Sequence, residues 1–269
     1  MIVDFHCHSN CSDGQLSPSG LIELAEERNV QTLAITDHDT LEAYQQNLKS
    51  SIKLITGIEL STVWNKIGIH VVGLNVDVKS KQLCQLVESQ KLIRLKRAEL
   101  IAKRLEKYGL KNALEEIKSK SQGSYIGRPD FAKLLVNQGI CTDTNHAFKK
   151  YLGAGKTGDI KNQWQSMDEI IIAIIKAGGV AVLAHPLYYK LTNSKLRRLL
   201  IEFKNLGGVG LEVVNGYQNP DKTEYLSKLC QEFDFKASIG SDFHSHKQWK
   251  KLGCNSQIIN GLNPIWAVF

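Results

Sequence analysis

Residues 3–14 read VDFHCHSNCSDG. The stretch opens as a buried β-strand does, then places His6 and His8 one residue apart, with Asp13 and a chain-turning glycine beyond them. Side chains alternate faces along a strand, so His6 and His8 point the same way and can converge on one small object. Cys7 lies between them on the opposite face, where a packing role is expected.

Other strands end in the same way. LAIT (33–36), IKLITGIEL (52–60) and GIHVVGLNV (68–76) are short β-rich runs. They are separated by SPSGLIELAEERN, where Ser17 or Ser19 is placed to cap a helix, and by TLEAYQQNLK. From Lys79 to about Trp164 the pattern turns to long helical periodicity, as in LCQLVESQKLIRLKRAELIAKRLEKYG, where the final glycine supplies a stop. After Met167 the alternation returns, with strands VAVLAH, VGLEVVN and FKASIGSDFH set between helices. The expected architecture is one α/β unit built from residues 1–78 and 168–269, interrupted by a helical insertion at 79–167.

The strand ends carry the chemistry. His6 and His8 close the first, Asp37 and His38 the second (ITDHDT), Glu59 the third (GIELS) and His185 a later one (VLAHP); Asp242 and His244 close the last (GSDFH). In parallel α/β folds the carboxyl ends of the strands form one face, the usual place for an active site. His70 lies near the start of its run and fits this rule less neatly. Several imidazoles and carboxylates packed in one cavity suffer desolvation and like-charge repulsion that divalent cations relieve. Mixed imidazole and carboxylate ligation without thiolate favours Mn²⁺, Zn²⁺ or Fe²⁺ over Ca²⁺ or Mg²⁺ alone.

Charge is unevenly placed. Residues 79–167 hold 18 Lys and Arg against 8 Asp and Glu, while the rest of the chain holds 16 against 19. A basic segment beside an acidic, histidine-rich one suggests a polyanionic substrate delivered to bound cations. The six cysteines form no CxxC pair and read as reduced thiols, and no apolar run approaches the length of a membrane span. A cytoplasmic protein without a membrane partner is expected.

DFHCHSNCSDG, AITDHDT, GIELS, HVVGLN, IGRPDFAKLLV, GGVAVLAHP and GSDFH together resemble the ordered motif set of the PHP (polymerase and histidinol phosphatase) superfamily, over nearly the whole chain. Within it the chain is most similar to the RNase AM type, which hydrolyses nucleoside 3′,5′-bisphosphates and trims short RNA from its 5′ end. The resemblance implies a distorted seven-stranded (β/α) barrel of PHP type, an inserted small helical domain and three divalent ions, commonly manganese. It implies a first ion on His6, His8, Glu59 and Asp242, and a second sharing Glu59 and adding His70. The third would fall to Asp13, His38, His185 and His244. Related enzymes usually carry His where this chain has Asp130, so Asp130 is expected to complete the second site through oxygen, favouring Mn²⁺ or Mg²⁺ over Zn²⁺.

Glu59, bridging two ions, and Arg128, a planar clamp for phosphate oxygens, are the expected catalytic residues, with Asp37 orienting a ligand or accepting a proton. Lys156 in YLGAGKTG is a weaker phosphate candidate, since its spacing is not that of a P-loop. Tyr188, Tyr189 and Tyr217 follow strand ends and can stack on a base. His146 and His246 read as exposed or structural. Two other readings stay open at this point: a phosphatase for another small phosphate such as histidinol phosphate, and a metal-stabilised binding module without catalysis.

Overall fold

Ile2–Cys7 forms strand β1, buried from Val3 onward, in a computed structural model that describes residues 1–120, 125–160, 164–246 and 251–269. Helix α1 (Pro18–Glu27) begins where Ser17 accepts a hydrogen bond from the Gly20 N–H at 3.1 Å and Pro18 takes the first turn, which needs no intrahelical donor. Strands β2 (Thr32–Ile35) and β3 (Lys53–Trp64) then pair in parallel beside β1.

Strand β4 (Ile67–Leu74) reverses direction. It folds back on β3 across Asn65 and Lys66, both with positive φ, which is the two-residue hairpin turn whose twist matches its flanking strands. The parallel pairing therefore ends at β3, which β4 joins by a hairpin rather than by a helical crossover. A lysine stands where such turns usually have glycine, so the sequence carries half of the hairpin signal.

Strand β5 (Val180–Leu183) runs antiparallel to β4, and β6 (Gly210–Asn215) and β7 (Lys236–Gly240) continue in parallel. The two-residue β8 (Cys254–Asn255) adds to the far side of β1, so among the described residues the sheet has eight strands in the order β7-β6-β5-β4-β3-β2-β1-β8 where seven were expected. The barrel nearly closes because β1 also lies against the end of β7. His8 N–H donates to the Phe243 carbonyl at 2.9 Å and Asp242 N–H to that of His6 at 2.7 Å. Buried Asp4 accepts from Ser241 N–H at 2.9 Å and Gly253 N–H at 2.8 Å. Gly240 permits this approach, since a Cβ there would stand 2.3 Å from the Cβ of His6.

The long helix α2 (Lys81–Leu105) opens the inserted segment, followed by α3 (Ala113–Lys120), α4 (Arg128–Asn137) and the short α5 (Thr144–Ala147). Leu83 and Leu86 of α2 pack into the barrel core, whereas Ile101 and Leu105 join Phe131, Leu135 and Leu152 in a second core. Between these apolar ends the buried stripe of α2 continues through Gln90, Arg94 and Arg97. The chain then returns through α6 (Met167–Lys176), α7 (Asn193–Asn205) and α8 (Pro220–Glu232), which bury Ile170, Ile174, Leu199, Phe203 and Leu226 against the barrel.

Candidate metal centre

Glu59 sits at the centre of the carboxyl face, fully buried. Its Oε1 lies 2.9 Å from His70 Nδ1 and 2.9 Å from His185 Nε2. Its Oε2 lies 3.0 Å from His38 Nδ1, 3.2 Å from His6 Nε2 and 3.3 Å from His8 Nε2. Five imidazoles thus surround one carboxylate. His70 joins them because β4 runs against its neighbours, so the start of β4 lies at the same end as the finish of β3; Ser61 pairs with His70, which puts the ring diagonal to Glu59.

A second carboxylate enters from the loop after β1. Asp13 Oδ1 is 3.1 Å from His244 Nε2 and 3.8 Å from His8 Nδ1, and its Oδ2 is 3.8 Å from His38 Nε2. The loop is tight enough that a Cβ on Gly14 would stand 2.1 Å from the His8 carbonyl oxygen, hence the glycine. Asp37 fixes the same loop: it accepts from Ser9 N–H at 2.7 Å, Ser9 Oγ–H at 2.6 Å and Ser12 Oγ–H at 2.5 Å. Its oxygens are turned to these donors, so the structure gives Asp37 an orienting place. Asp242 completes the group, 3.3 Å from His8 Nε2.

Protons serve this cluster badly. Burial works against a charged ring at His8, but Asp242 and Glu59 outweigh it and push His8 up to about 10. His38 is only 4.5 Å away, ring to ring, and is pushed down to about 4, chiefly by burial. Glu59 is held well below the usual carboxylate range: burial opposes its charge, and His38, His6 and His70 overcome that. Even so His6 Nε2, both nitrogens of His8, His38 Nδ1, His185 Nδ1, Asp13 Oδ1 and Glu59 Oε2 are buried without a hydrogen-bond partner. Lone pairs in this number, facing one another across a few ångströms, fit divalent cations.

Four sets of donor atoms are close enough to share an ion: His8, Asp13, His38 and His244; His6, Glu59 and His185; His6, His8 and Asp242; and His38, Glu59 and His70. Apart from Asp130, the expected ligands are thus brought together, but regrouped: His185 stands with His6 and Glu59, His8 also takes a place beside Asp13, and His38 also joins Glu59 and His70.

Asp130 is not brought in among the described residues. As the third residue of α4 its Oδ2 accepts from the Gly127 N–H at 2.9 Å, capping the helix, and Lys133 lies 3.9 Å from Oδ1. Asp130→Ala is therefore expected to leave the number of bound cations unchanged and to cost about 1 kcal/mol of stability through the lost cap. Metal analysis beside a thermal melt checks both; a lost cation would restore Asp130 to the ligand set.

The cluster forms one wall of a cavity of about 710 Å³. Residues of the 79–167 segment line the same cavity: Arg94, Arg97, Tyr125, Arg128 and Trp164. Arg94 is buried and tied to the barrel, with Nε 2.7 Å from Asp39 Oδ2 and its guanidinium 4.2 Å from the Tyr125 ring and 4.9 Å from that of Trp164. Arg97 donates to the Ile160 carbonyl and Arg128 to that of Leu152. Burial, with Arg128 and Arg94 nearby, pushes Arg97 down to about 10, so it stays charged at neutral pH in a field that favours an anion.

Tyr188 lines the mouth, 54% exposed with its ring 5.3 Å from His185. Tyr189 is pinned, its hydroxyl donating to the Ala184 carbonyl at 2.7 Å. Tyr217, 91% exposed, and Lys156, also exposed, do not line the cavity. His246 is exposed, and His146 is half-buried with its Nδ1 3.3 Å from Thr142 Oγ1. Sequence reasoning missed Arg94, Arg97, Tyr125, Trp164 and Asp39. The available signal was the apolar stripe of α2, which charged residues interrupt at its own spacing.

The PHP domain family matches residues 4–183. A 5′-3′ exoribonuclease of Haemophilus influenzae is 41% identical over 270 residues, covering 99% of this chain and 98% of its own length. A 3′,5′-nucleoside bisphosphate phosphatase of Chromobacterium violaceum is 33% identical, covering 98% and 95%. Among solved structures, an amidohydrolase from Chromobacterium violaceum, determined with sulfate and without metal, superposes with a TM-score of 0.89 at 32% identity, covering 98% of this chain and 94% of its own. With the match running through β1 to β5 and relatives similar along their whole length, this chain belongs to the PHP domain family.

Proposed function

We propose that the protein is a metal-dependent phosphoesterase that hydrolyses nucleoside 3′,5′-bisphosphates to nucleoside 5′-monophosphate and phosphate, and that trims short 5′-phosphorylated RNA. The carrying observation is that one cavity is lined both by the imidazole and carboxylate cluster that could hold cations and by Arg97 and Arg128. A molecule with a phosphate at each end of one nucleoside suits such a cavity.

Divalent cations, of which we favour three and manganese first, with zinc, iron or magnesium as alternatives, supply the charge that draws in phosphoryl oxygens and makes water reactive at neutral pH. His6, His8, Asp13, His38, Glu59, His70, His185, Asp242 and His244 would hold them. Arg128 and Arg97 bind the phosphate that is not cut, so the insertion, residues 79–167, supplies binding energy that orients the reacting end. Tyr188 at the mouth is available to a base. Water adds to phosphorus and the 3′ oxygen leaves with a proton. The same bond breaks in both substrates: a bisphosphate releases phosphate, and an RNA releases a 5′-monophosphate while its remainder keeps a 5′ phosphate for the next round.

The names of the Haemophilus and Chromobacterium relatives support both halves of this reading. We place the enzyme in the cytoplasm, since its cysteines are free and no described helix is long and apolar enough to cross a membrane. The test is product release, with Mn²⁺ present, from a nucleoside 3′,5′-bisphosphate, the matching 3′-monophosphate, histidinol phosphate and short 5′-phosphorylated RNA. The bisphosphate is expected to exceed the 3′-monophosphate in kcat/KM by about a hundredfold. Histidinol phosphate as the best substrate would overturn the nucleotide reading.

A further inference from the structure

Glu212, on β6, is 2% exposed and belongs to none of the four candidate ligand sets. Its Oε1 lies 2.9 Å from His6 Nδ1, and its Oε2 accepts from the His185 backbone N–H at 2.5 Å and from Asn215 Nδ2 at 3.2 Å. His6 and His185 are members of one candidate set, with Glu59. One buried carboxylate therefore grips two histidines of one cation subsite, the first through its ring and the second through its backbone.

Each grip answers a specific need. An imidazole binds a cation through one nitrogen only when that nitrogen carries no proton, and a carboxylate on Nδ1 keeps the proton there and leaves Nε2 bare. His6 Nε2 is the nitrogen that faces Glu59 and has no hydrogen-bond partner. His185 has φ 27°, ψ 58°, in the left-handed region that a non-glycine residue adopts at a cost. The bond from its N–H to Glu212 holds that conformation, which aims its Nε2 at Glu59 Oε1. Gly240 keeps the place open, since a Cβ there would be 3.0 Å from Glu212 Oε1.

We infer that Glu212 is a positioning residue for the cation subsite of His6, Glu59 and His185, fixing the proton of His6 on Nδ1 and the backbone of His185. The inference rests on the metal-dependent reading above. Glu212→Gln preserves shape but has one acceptor oxygen in place of two, and its amide turns a donor toward either His6 Nδ1 or the His185 N–H. Titration with Mn²⁺ is expected to show one cation bound about 10- to 100-fold more weakly than in the wild type. In ¹⁵N-histidine-labelled protein loaded with Zn²⁺, the wild type is expected to show the His6 proton on Nδ1 with slow exchange, and Glu212→Gln to lose that signal. Glu212→Ala is expected to weaken the same cation at least as much; should it fail to fold, Glu212→Gln decides alone. Wild-type Mn²⁺ affinities in Glu212→Gln, or a His6 proton found on Nε2 in the wild type, would overturn the inference. A wild type that binds no cation at all would overturn the proposed function itself, which separates the two failures.

Discussion

Glu59→Gln is expected to lower phosphate release by roughly a thousandfold, equivalent to about 4 kcal/mol of transition-state stabilisation. The substitution keeps the size and shape of the side chain. It removes the one negative charge that five imidazoles, on β1, β4 and the loops that follow β1, β2 and β5, all approach within 3.3 Å. Cations brought to those rings then repel one another without the anion that lies among them, and at least one is expected to be lost. Metal content and kcat, measured on the same preparation, check the two effects together. Wild-type turnover in the variant would remove Glu59 from the centre of the chemistry.

Arg128→Ala is expected to fall selectively on substrates with two phosphates. If Arg128 grips the phosphate that is not cut, kcat/KM for the 3′,5′-bisphosphate should drop by 2 to 4 kcal/mol, roughly 30- to 1,000-fold, because the charged contact forms in a partly desolvated wall. The 3′-monophosphate lacks that contact and should lose far less. Arg97→Ala is expected to act in the same direction, since Arg97 is buried in the same wall and already lies in the field of Arg94 and Arg128. Equal losses on both substrates would place Arg128 at the reacting phosphate.

The candidate ligand set was legible because its signal is local. A strand end followed by His, Asp or Glu needs only the alternation of the strand and the direction of the chain to place it on one face. That reasoning brought His6, His8, Glu59, His185, Asp242 and His244 to the same end of the barrel, where they stand. It strained at His70, since the rule assumes a parallel strand and β4 is antiparallel. Asp130 shows the opposite error. A motif position suggested a ligand, but a carboxylate three residues past a helix start has a nearer partner in the backbone N–H groups there, and α4 takes it.

The sequence by itself determined the α/β class, the run of helices between Lys81 and Ala147 and the residue types of the candidate metal centre, because periodicity and strand ends are properties of neighbouring residues. The grouping of the candidate ligands, the grip of Glu212 and the arginines that line the cavity were decided only by tertiary structure. Each of these depends on distances between segments far apart in the chain: Glu212 is 206 residues from His6, and Arg94 is 55 from Asp39. No local pattern records such distances. They are set when β1 meets the end of β7 and when the buried polar middle of α2 finds its partners on the barrel.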